Sequence, residues 1–172
     1  MSPYLSMVNQ KLFFCKILLK QGLPKKEAGE ENQSVHLELA LCQSALYQLE
    51  CAYGHYLREI AESYQYNSAE NITTVDELSS ALAGMNKHPG EAQEIQSLFE
   101  DSQSWLFQML SAYQQLSLLP TQAASVAHAS PIAVVEVKQL DDRIALDYQQ
   151  LDEWQNSFVE MVNRHREMMV EC

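Results

Sequence analysis

The chain has 172 residues, of which 47% are hydrophobic and 20% are charged, with only five glycines and five prolines. This composition predicts one soluble globular domain over residues 1–172, and the scarcity of helix breakers favours long helices over a β fold. The formal net charge of −12 argues against nucleic-acid binding, which needs a basic face to neutralise phosphates.

The first predicted element is a helix from Pro3 to about Leu23, which Ser2 can cap. The first 26 residues carry five lysines and no acidic residue, so the rest of the chain carries −17. This asymmetry leaves two interpretations open. Either a basic helix lies against an acidic body, or an amphipathic helix contacts anionic lipid.

This first helix is apolar almost all round, because Phe13 and Ile17 fall on the side opposite its main apolar stripe. Such a helix packs on two neighbours or meets a partner. We favour two neighbours, with self-association or a protein contact through Phe13 and Ile17 as the alternative. The apolar run is too short to cross a membrane, so no transmembrane segment is expected.

A long second helix is predicted from Ser34 to Tyr66, because apolar residues recur there at steps of three and four. The members of this stripe are Leu39, Cys42, Leu46, Leu49, Tyr53, Tyr56 and Ile60. The cysteines of the chain show no zinc-like or disulfide-framework spacing, which indicates reduced thiols and a cytoplasmic location. Tyr47 lies toward the outer face and is a candidate for an interface.

A short helix and a third long helix follow. Thr74 and Glu77 form a capping-box signature before a short helix that is predicted to reach Ala83 and stop at Gly84. A third long helix begins near Glu91, and the polar stretch Glu100–Ser104 is a candidate break within it.

A long loop is predicted at 120–131, and the β-branched stretch Ile132–Val137 after it can be extended or helical. The last helix is predicted from about Leu140 to Val170, with Asp147 and His165 inside its apolar stripe. Asp147 then needs a partner or an exposed position. His165 can bond the hydroxyl of a tyrosine on the facing stripe, at position 53 or 56.

Four long amphipathic helices predict an all-α fold, namely a four-helix up-and-down bundle with coiled-coil-like packing. One short extra helix and a long loop before the last helix complete it.

One polar cluster on the second helix can carry chemistry. Its members, at helical spacings, are Cys51, His55, Arg58, Glu59 and Glu62. A thiolate–imidazole pair can be nucleophilic, and Cys51, His55 and Glu59 can contribute metal ligands. The alternative, which we favour, is a solvated helix face, since two ligands on one helix make no complete site. We therefore expect no metal and no cofactor.

The chain resembles an uncharacterised family of small, all-helical bacterial proteins, a domain of unknown function. The segments that carry the resemblance are Asn9-Gln-Lys-Leu12, Ala45-Leu-Tyr-Gln-Leu49, Glu59-Ile-Ala-Glu-Ser-Tyr64, Ser104-Trp-Leu-Phe-Gln-Met-Leu110 and Ile132-Ala-Val-Val135. The resemblance implies a cytoplasmic single-domain protein and supplies no catalytic or binding residue.

With the motifs of metal-binding bundles absent from the sequence, we favour a non-enzymatic interaction or accessory module. The alternatives are an enzyme using the polar cluster, or peripheral membrane binding through the first helix.

Overall fold

A computed structural model describes residues 2–22, 31–118 and 146–170. All regular structure in these ranges is helical, as the sequence predicts. The helices are α1 (Pro3–Gly22), α2 (Glu31–Ser63), a short 3₁₀ helix (Ala69–Asn71), α3 (Val75–Gly84), α4 (Gly90–Glu100), α5 (Trp105–Leu116) and α6 (Tyr148–Val170). The predicted loop 120–131 lies outside the described residues, and so does Ile132–Val137, for which an extended and a helical conformation were both considered. None of the described helices is long and apolar enough to cross a membrane.

Ser2 caps α1, which confirms the prediction. Its hydroxyl oxygen accepts hydrogen bonds from the backbone N–H groups of Tyr4 and Leu5, at 3.1 and 3.3 Å. The same hydroxyl donates to the carboxylate of Glu62, near the end of α2. An acidic group beside a helix N-terminus also complements the helix dipole. The start of α1 is therefore fixed against the end of α2.

The predicted stripe of α2 forms the centre of the core. Leu39 is half-buried, and the other six members of the stripe are buried. They pack against α1, α3, α5 and α6, so α2 is the helix that the others cover. Cys15 and Cys42 are fully buried and pack as small hydrophobic residues of this core. Burial raises the pKa of Cys15 to about 12 and that of Cys42 to about 11.

The end of α2 comes at Ser63, earlier than the predicted Tyr66. Gln65 adopts a left-handed conformation, with φ of 62°. Its N–H donates to the carbonyl of Glu62 at 2.9 Å, and the N–H of Tyr66 donates to that of Ala61 at 2.9 Å. These two bonds form a Schellman cap, which satisfies the last carbonyl groups and stops the helix.

The capping box of α3 is present as predicted. The Thr74 hydroxyl accepts from the N–H of Glu77 at 3.2 Å, and the Glu77 carboxylate accepts from the N–H of Thr74 at 3.1 Å. The predicted stop at Gly84 is wrong by a small margin, because Gly84 is the last helical residue. Asn86 takes the left-handed conformation that ends this helix, with φ of 56°.

The predicted break between Glu100 and Ser104 is confirmed, and it separates α4 from α5. The Ser104 hydroxyl accepts from the N–H of Phe107 at 3.0 Å and donates to the carbonyl of Leu98. One serine therefore caps the start of α5 and satisfies a carbonyl near the end of α4.

Contacts at both ends fix the direction of α4 and α5 along α2. Near the end of α2, the Tyr64 hydroxyl donates to the carboxylate of Glu91, at the start of α4, over 3.1 Å. Farther back along α2, the ring of Tyr47 lies 6.4 Å from that of Tyr113 in α5. The chain of α4 and α5 thus runs opposite to α2.

The last helix, α6, runs in the same direction as α2. Near its start, the Tyr148 hydroxyl donates to the carbonyl of Glu38 at 3.2 Å. Near its end, Arg166 pairs with Glu59. Buried side chains from α1, α2, α3, α4, α5 and α6 form one hydrophobic core.

The prediction that Asp147 lies inside the last helix is wrong. Asp147 is exposed and precedes α6, which begins at Tyr148. Its carboxylate accepts from the N–H of Gln149 at 3.2 Å, and its carbonyl accepts from that of Leu151 at 3.1 Å. A residue that forms such bonds at a helix start is an N-cap, so the exposed carboxylate needs no buried partner. The predicted start near Leu140 lies outside the described residues.

Candidate functional site

The five residues of the predicted polar cluster on α2 do not converge on one site. Glu59 is 3% exposed and faces α6 rather than solvent. Arg58 donates from Nε to the carbonyl of Ile72, at 3.0 Å, and Glu62 bonds Ser2. In the ranges 2–22, 31–118 and 146–170, no three His, Cys, Asp or Glu side chains are grouped so that they can hold a metal ion.

Glu59 instead forms a two-pronged ion pair with Arg166. The guanidinium donates from Nε to Oε1 at 2.7 Å and from Nη2 to Oε2 at 2.8 Å. A third bond runs from Arg166 Nη1 to Oδ1 of Asn9, at 2.8 Å. This fork geometry is the strongest arrangement of a carboxylate with a cation. The pair joins α1, α2 and α6, so it holds helices together and is not available as a catalytic base.

His55 stands apart from Cys51. The imidazole lies beside the ring of Tyr4, at 6.4 Å between centroids, and its buried Nδ1 has no hydrogen-bond partner among the described residues. Burial lowers the pKa of His55, and the positive charges of Arg58 and Lys11 lower it further. Interaction with the Cys51 thiol raises the pKa of the Tyr47 hydroxyl, and in the described part of the chain no hydrogen bond joins this thiol to the imidazole.

His55 gives the protein a predictable pH dependence. Unfolding returns its pKa from a lowered value toward 6.5, so the unfolded chain binds more protons as the pH falls. Neutral His55 therefore adds stability that is present above the unfolded pKa and is lost as the pH falls toward the folded pKa. We expect a His55→Asn variant to lose less stability than the wild type between about pH 7.5 and about pH 5.5.

Urea unfolding at the two pH values measures this difference. His88→Asn is the matched control, because His88 is exposed in the turn between α3 and α4. The control is expected to keep the wild-type slope of stability against pH. An unchanged slope in His55→Asn would show that its protonation is not linked to folding.

A second polar network lies deeper and joins three helices. His165 is fully buried. Its Nδ1 lies 2.6 Å from the hydroxyl of Tyr56, and its Nε2 lies 2.9 Å from Oε2 of Glu94. Arg164 bonds the other carboxylate oxygen of Glu94. The expectation that His165 bonds a tyrosine on the facing stripe is confirmed, with Tyr56 as the partner.

The partners fix the direction of each hydrogen bond in the neutral imidazole. A carboxylate only accepts, so the proton is on Nε2 and is donated to Glu94. Nδ1 then accepts from the Tyr56 hydroxyl. A hydroxyl, an imidazole and a carboxylate in sequence are also the parts of a nucleophilic triad.

Burial decides against a nucleophilic role for this network. Tyr56 is 0% exposed, so no substrate reaches its hydroxyl in this conformation. Burial, with the nearby Glu59 carboxylate, also raises the pKa of Tyr56, which keeps the hydroxyl protonated. The network satisfies buried polar groups and fixes α4 and α6 against α2.

Removing one hydroxyl tests that structural role. Tyr56→Phe keeps the ring but leaves Nδ1 of His165 buried without a donor, so we expect stability to fall by about 1–3 kcal/mol. Tyr53→Phe is the matched control, on the same stripe, since no hydrogen bond joins the Tyr53 hydroxyl to another described residue. Chemical denaturation measures both. Equal losses in the two variants would mean that the bond to His165 adds no stability.

Sequence reasoning missed four members of these networks, namely Asn9, Glu94, Arg164 and Arg166. Glu94 lies on α4 at the edge of the core, and its side chain is 36% exposed. A charged residue at the edge of a stripe carries no signal of a long-range partner. The partner pairs are 71 and 107 positions apart in the sequence, beyond the reach of helical periodicity.

The outer face of α1 is exposed. Phe13 is 61% exposed, Phe14 41% and Ile17 37%. The helix does pack on two neighbours, α2 and α6, as we favoured, yet these contacts leave the outer face uncovered. Tyr47, the other predicted interface residue, is 49% exposed beside Tyr113.

Comparison with known proteins places the chain in a family but adds no function. Neither the curated proteins nor the solved structures give a match to this sequence. A family model described as a family of unknown function, DUF6586, matches residues 1–172. The match spans both the buried networks and the exposed face of α1, and the resemblance to a domain of unknown function is confirmed. The chain belongs to the DUF6586 family.

Proposed function

We propose that this protein is a non-enzymatic interaction module, built as a single four-helix up-and-down bundle. The alternating directions of α1, α2, the α4–α5 pair and α6 support the bundle, with α3 as the short extra helix. The cytoplasmic location expected from the cysteines is part of the same proposal. In this proposal the polar side chains on α2 stabilise the fold, and the exposed apolar side chains on α1 bind a partner.

The outer face of α1, defined as Phe13, Phe14 and Ile17, is the proposed docking face. The single observation that carries the proposal is the 61% exposure of Phe13. Single exposed apolar residues are common, but three within five residues on one face of a helix make a patch of the kind that binding buries. Fully burying an exposed side chain of this kind gives about 1.5–3 kcal/mol, and covering these three, which are 37–61% exposed, gives part of that for each.

An enzyme built on Cys51, His55 and Glu59 has less support. Glu59 is committed to Arg166, and in the described part of the chain no hydrogen bond joins Cys51 to His55. Self-association through α1 is also less favoured, because two copies of the helix would bring their lysines together.

Photo-crosslinking from Phe13 tests the docking face in cells. A benzophenone side chain replaces Phe13, and the control variant carries it at Met85, which is 37% exposed after α3. We expect a protein or lipid adduct from position 13 that is absent from position 85. Excess wild-type chain should compete for the adduct, and excess Phe13→Ser/Ile17→Ser chain should not. The absence of any competed adduct at position 13 would overturn the proposal.

A further inference from the structure

The proposed docking face has a charge pattern that identifies its partner. Resting on the proposed function, we propose that the outer face of α1 binds the surface of an anionic lipid bilayer. The face lies opposite the buried residues Val8, Leu12 and Cys15, so it points away from the core. It is a convex ridge on one helix, which suits a broad surface more than the groove that an incoming protein helix needs.

Lysines border this ridge on both sides. At 100° per residue, Lys16 and Lys20 lie on one flank of the apolar strip and Lys11 lies on the other. Lys16 and Lys20 are exposed, and Lys11 is half-buried. Lysine stems can follow the apolar surface and place their ammonium groups among lipid phosphates. Apolar side chains flanked by lysines are the pattern of a helix that lies in the plane of a membrane.

The acidic remainder of the chain does not prevent this arrangement. α1 itself contains no acidic residue, and the −17 of the remainder lies outside the first 26 residues. A helix is about 10 Å across, which holds the body behind it about one Debye length from the lipid at physiological salt. Salt therefore screens the attraction between the α1 lysines and the lipid less than it screens the repulsion between the acidic body and the lipid. An orientation with α1 toward the bilayer is the favourable one.

Another copy of the chain fits this face less well. Pairing α1 with α1 of a second copy would align lysines, and the helix offers no acidic residue to compensate them. An acidic protein helix satisfies the same charges, but it would need acidic residues on both of its flanks as well as an apolar stripe. The bilayer provides an apolar layer and anionic groups on every side of the helix.

Vesicle co-sedimentation of the full chain tests the proposal. The probes are vesicles of phosphatidylcholine alone and of an equal mixture with phosphatidylglycerol. We expect binding to the mixed vesicles only, and binding that weakens as salt is added. Lys16→Gln/Lys20→Gln is expected to bind about thirtyfold more weakly, from about fivefold for each lysine near the surface.

Apolar and control variants complete the experiment. Phe13→Ser/Ile17→Ser is expected to lose binding, whereas Met85→Ser, an exposed apolar position elsewhere, is expected to bind as the wild type does. Circular dichroism checks that each variant is folded, and these exposed positions should tolerate the changes. Equal binding to both kinds of vesicle, no binding to the mixed ones, or equal loss in Met85→Ser would overturn the lipid proposal. A protein adduct from position 13 without vesicle binding would leave the docking face standing and reject lipid as its partner.

Discussion

Replacing Arg166 with methionine is expected to lower the free energy of unfolding by about 3–5 kcal/mol. Glu59 is 3% exposed, and the substitution leaves its carboxylate buried without a cation. The carboxylate then loses its attraction to the guanidinium but still has the free-energy cost of being removed from water. The Arg166 side chain is 20% exposed, so water that enters its place would move the loss toward the lower value. Urea unfolding followed by circular dichroism measures the change.

Arg164→Met is the matched control, because the same substitution is made two residues away on the same helix. Its partner Glu94 is 36% exposed and Arg164 itself is 47% exposed. An exposed pair contributes about 0–1 kcal/mol, so the control should unfold close to the wild type. The double variant Glu59→Met/Arg166→Met should recover most of the lost stability, since it leaves no charge buried alone. Equal losses in Arg166→Met and Arg164→Met would contradict the assigned role of burial.

The long helix α2 shows how far periodicity predicts this fold. A step of three or four residues defines which side of a helix is apolar, and that is enough to place Leu46, Leu49 and Tyr56 in the core. Caps are also local, so Ser2 and the pair Thr74 and Glu77 could be identified from a few neighbouring residues. These features depend on contacts within one or two turns.

The networks depend on contacts between helices, and the sequence could not specify them. Glu59 directly precedes Ile60, a stripe residue, and it can face solvent or core according to what lies opposite. Arg166 on α6 decides this, and periodicity gives no relation between the two helices. Glu59 was expected to face solvent and is buried, whereas Asp147 was expected within the apolar stripe and is exposed. Its spacing fits the stripe of α6, but the helix begins one residue later, so the carboxylate is at a cap and not in the core.

We propose that the buried polar groups and the exposed apolar side chains serve different purposes in this molecule. The buried polar groups near the ends of α2 and α6, centred on Glu59 and His165, fix the register of the helices. Such groups cost stability unless every partner is present, which makes them poor candidates for exposed chemistry. The apolar side chains on the outer face of α1 make no comparable contribution to the core. Binding is the role that their exposure supports.

Comparing two phenylalanines separates the fold from the docking face. Phe158 is 0% exposed, and its ring packs against those of Tyr56 and Trp105, with centroids 5.9 and 5.7 Å away. Phe158→Ala leaves a cavity between three helices, so we expect a loss of about 3–5 kcal/mol. For a chain of this size the loss corresponds to a fall in Tm of roughly 6–20 °C, which a thermal scan can measure.

Phe13→Ala removes the same atoms from a side chain that is 61% exposed, so it leaves no cavity. We expect it to change stability by no more than about 0.5 kcal/mol, as surface substitutions usually do. A large loss for Phe13→Ala would mean that the outer face of α1 supports the fold, which removes the reason to assign it a partner. A small loss together with weaker binding would show that this phenylalanine is used for recognition, because neither core packing nor a buried hydrogen bond would explain its presence.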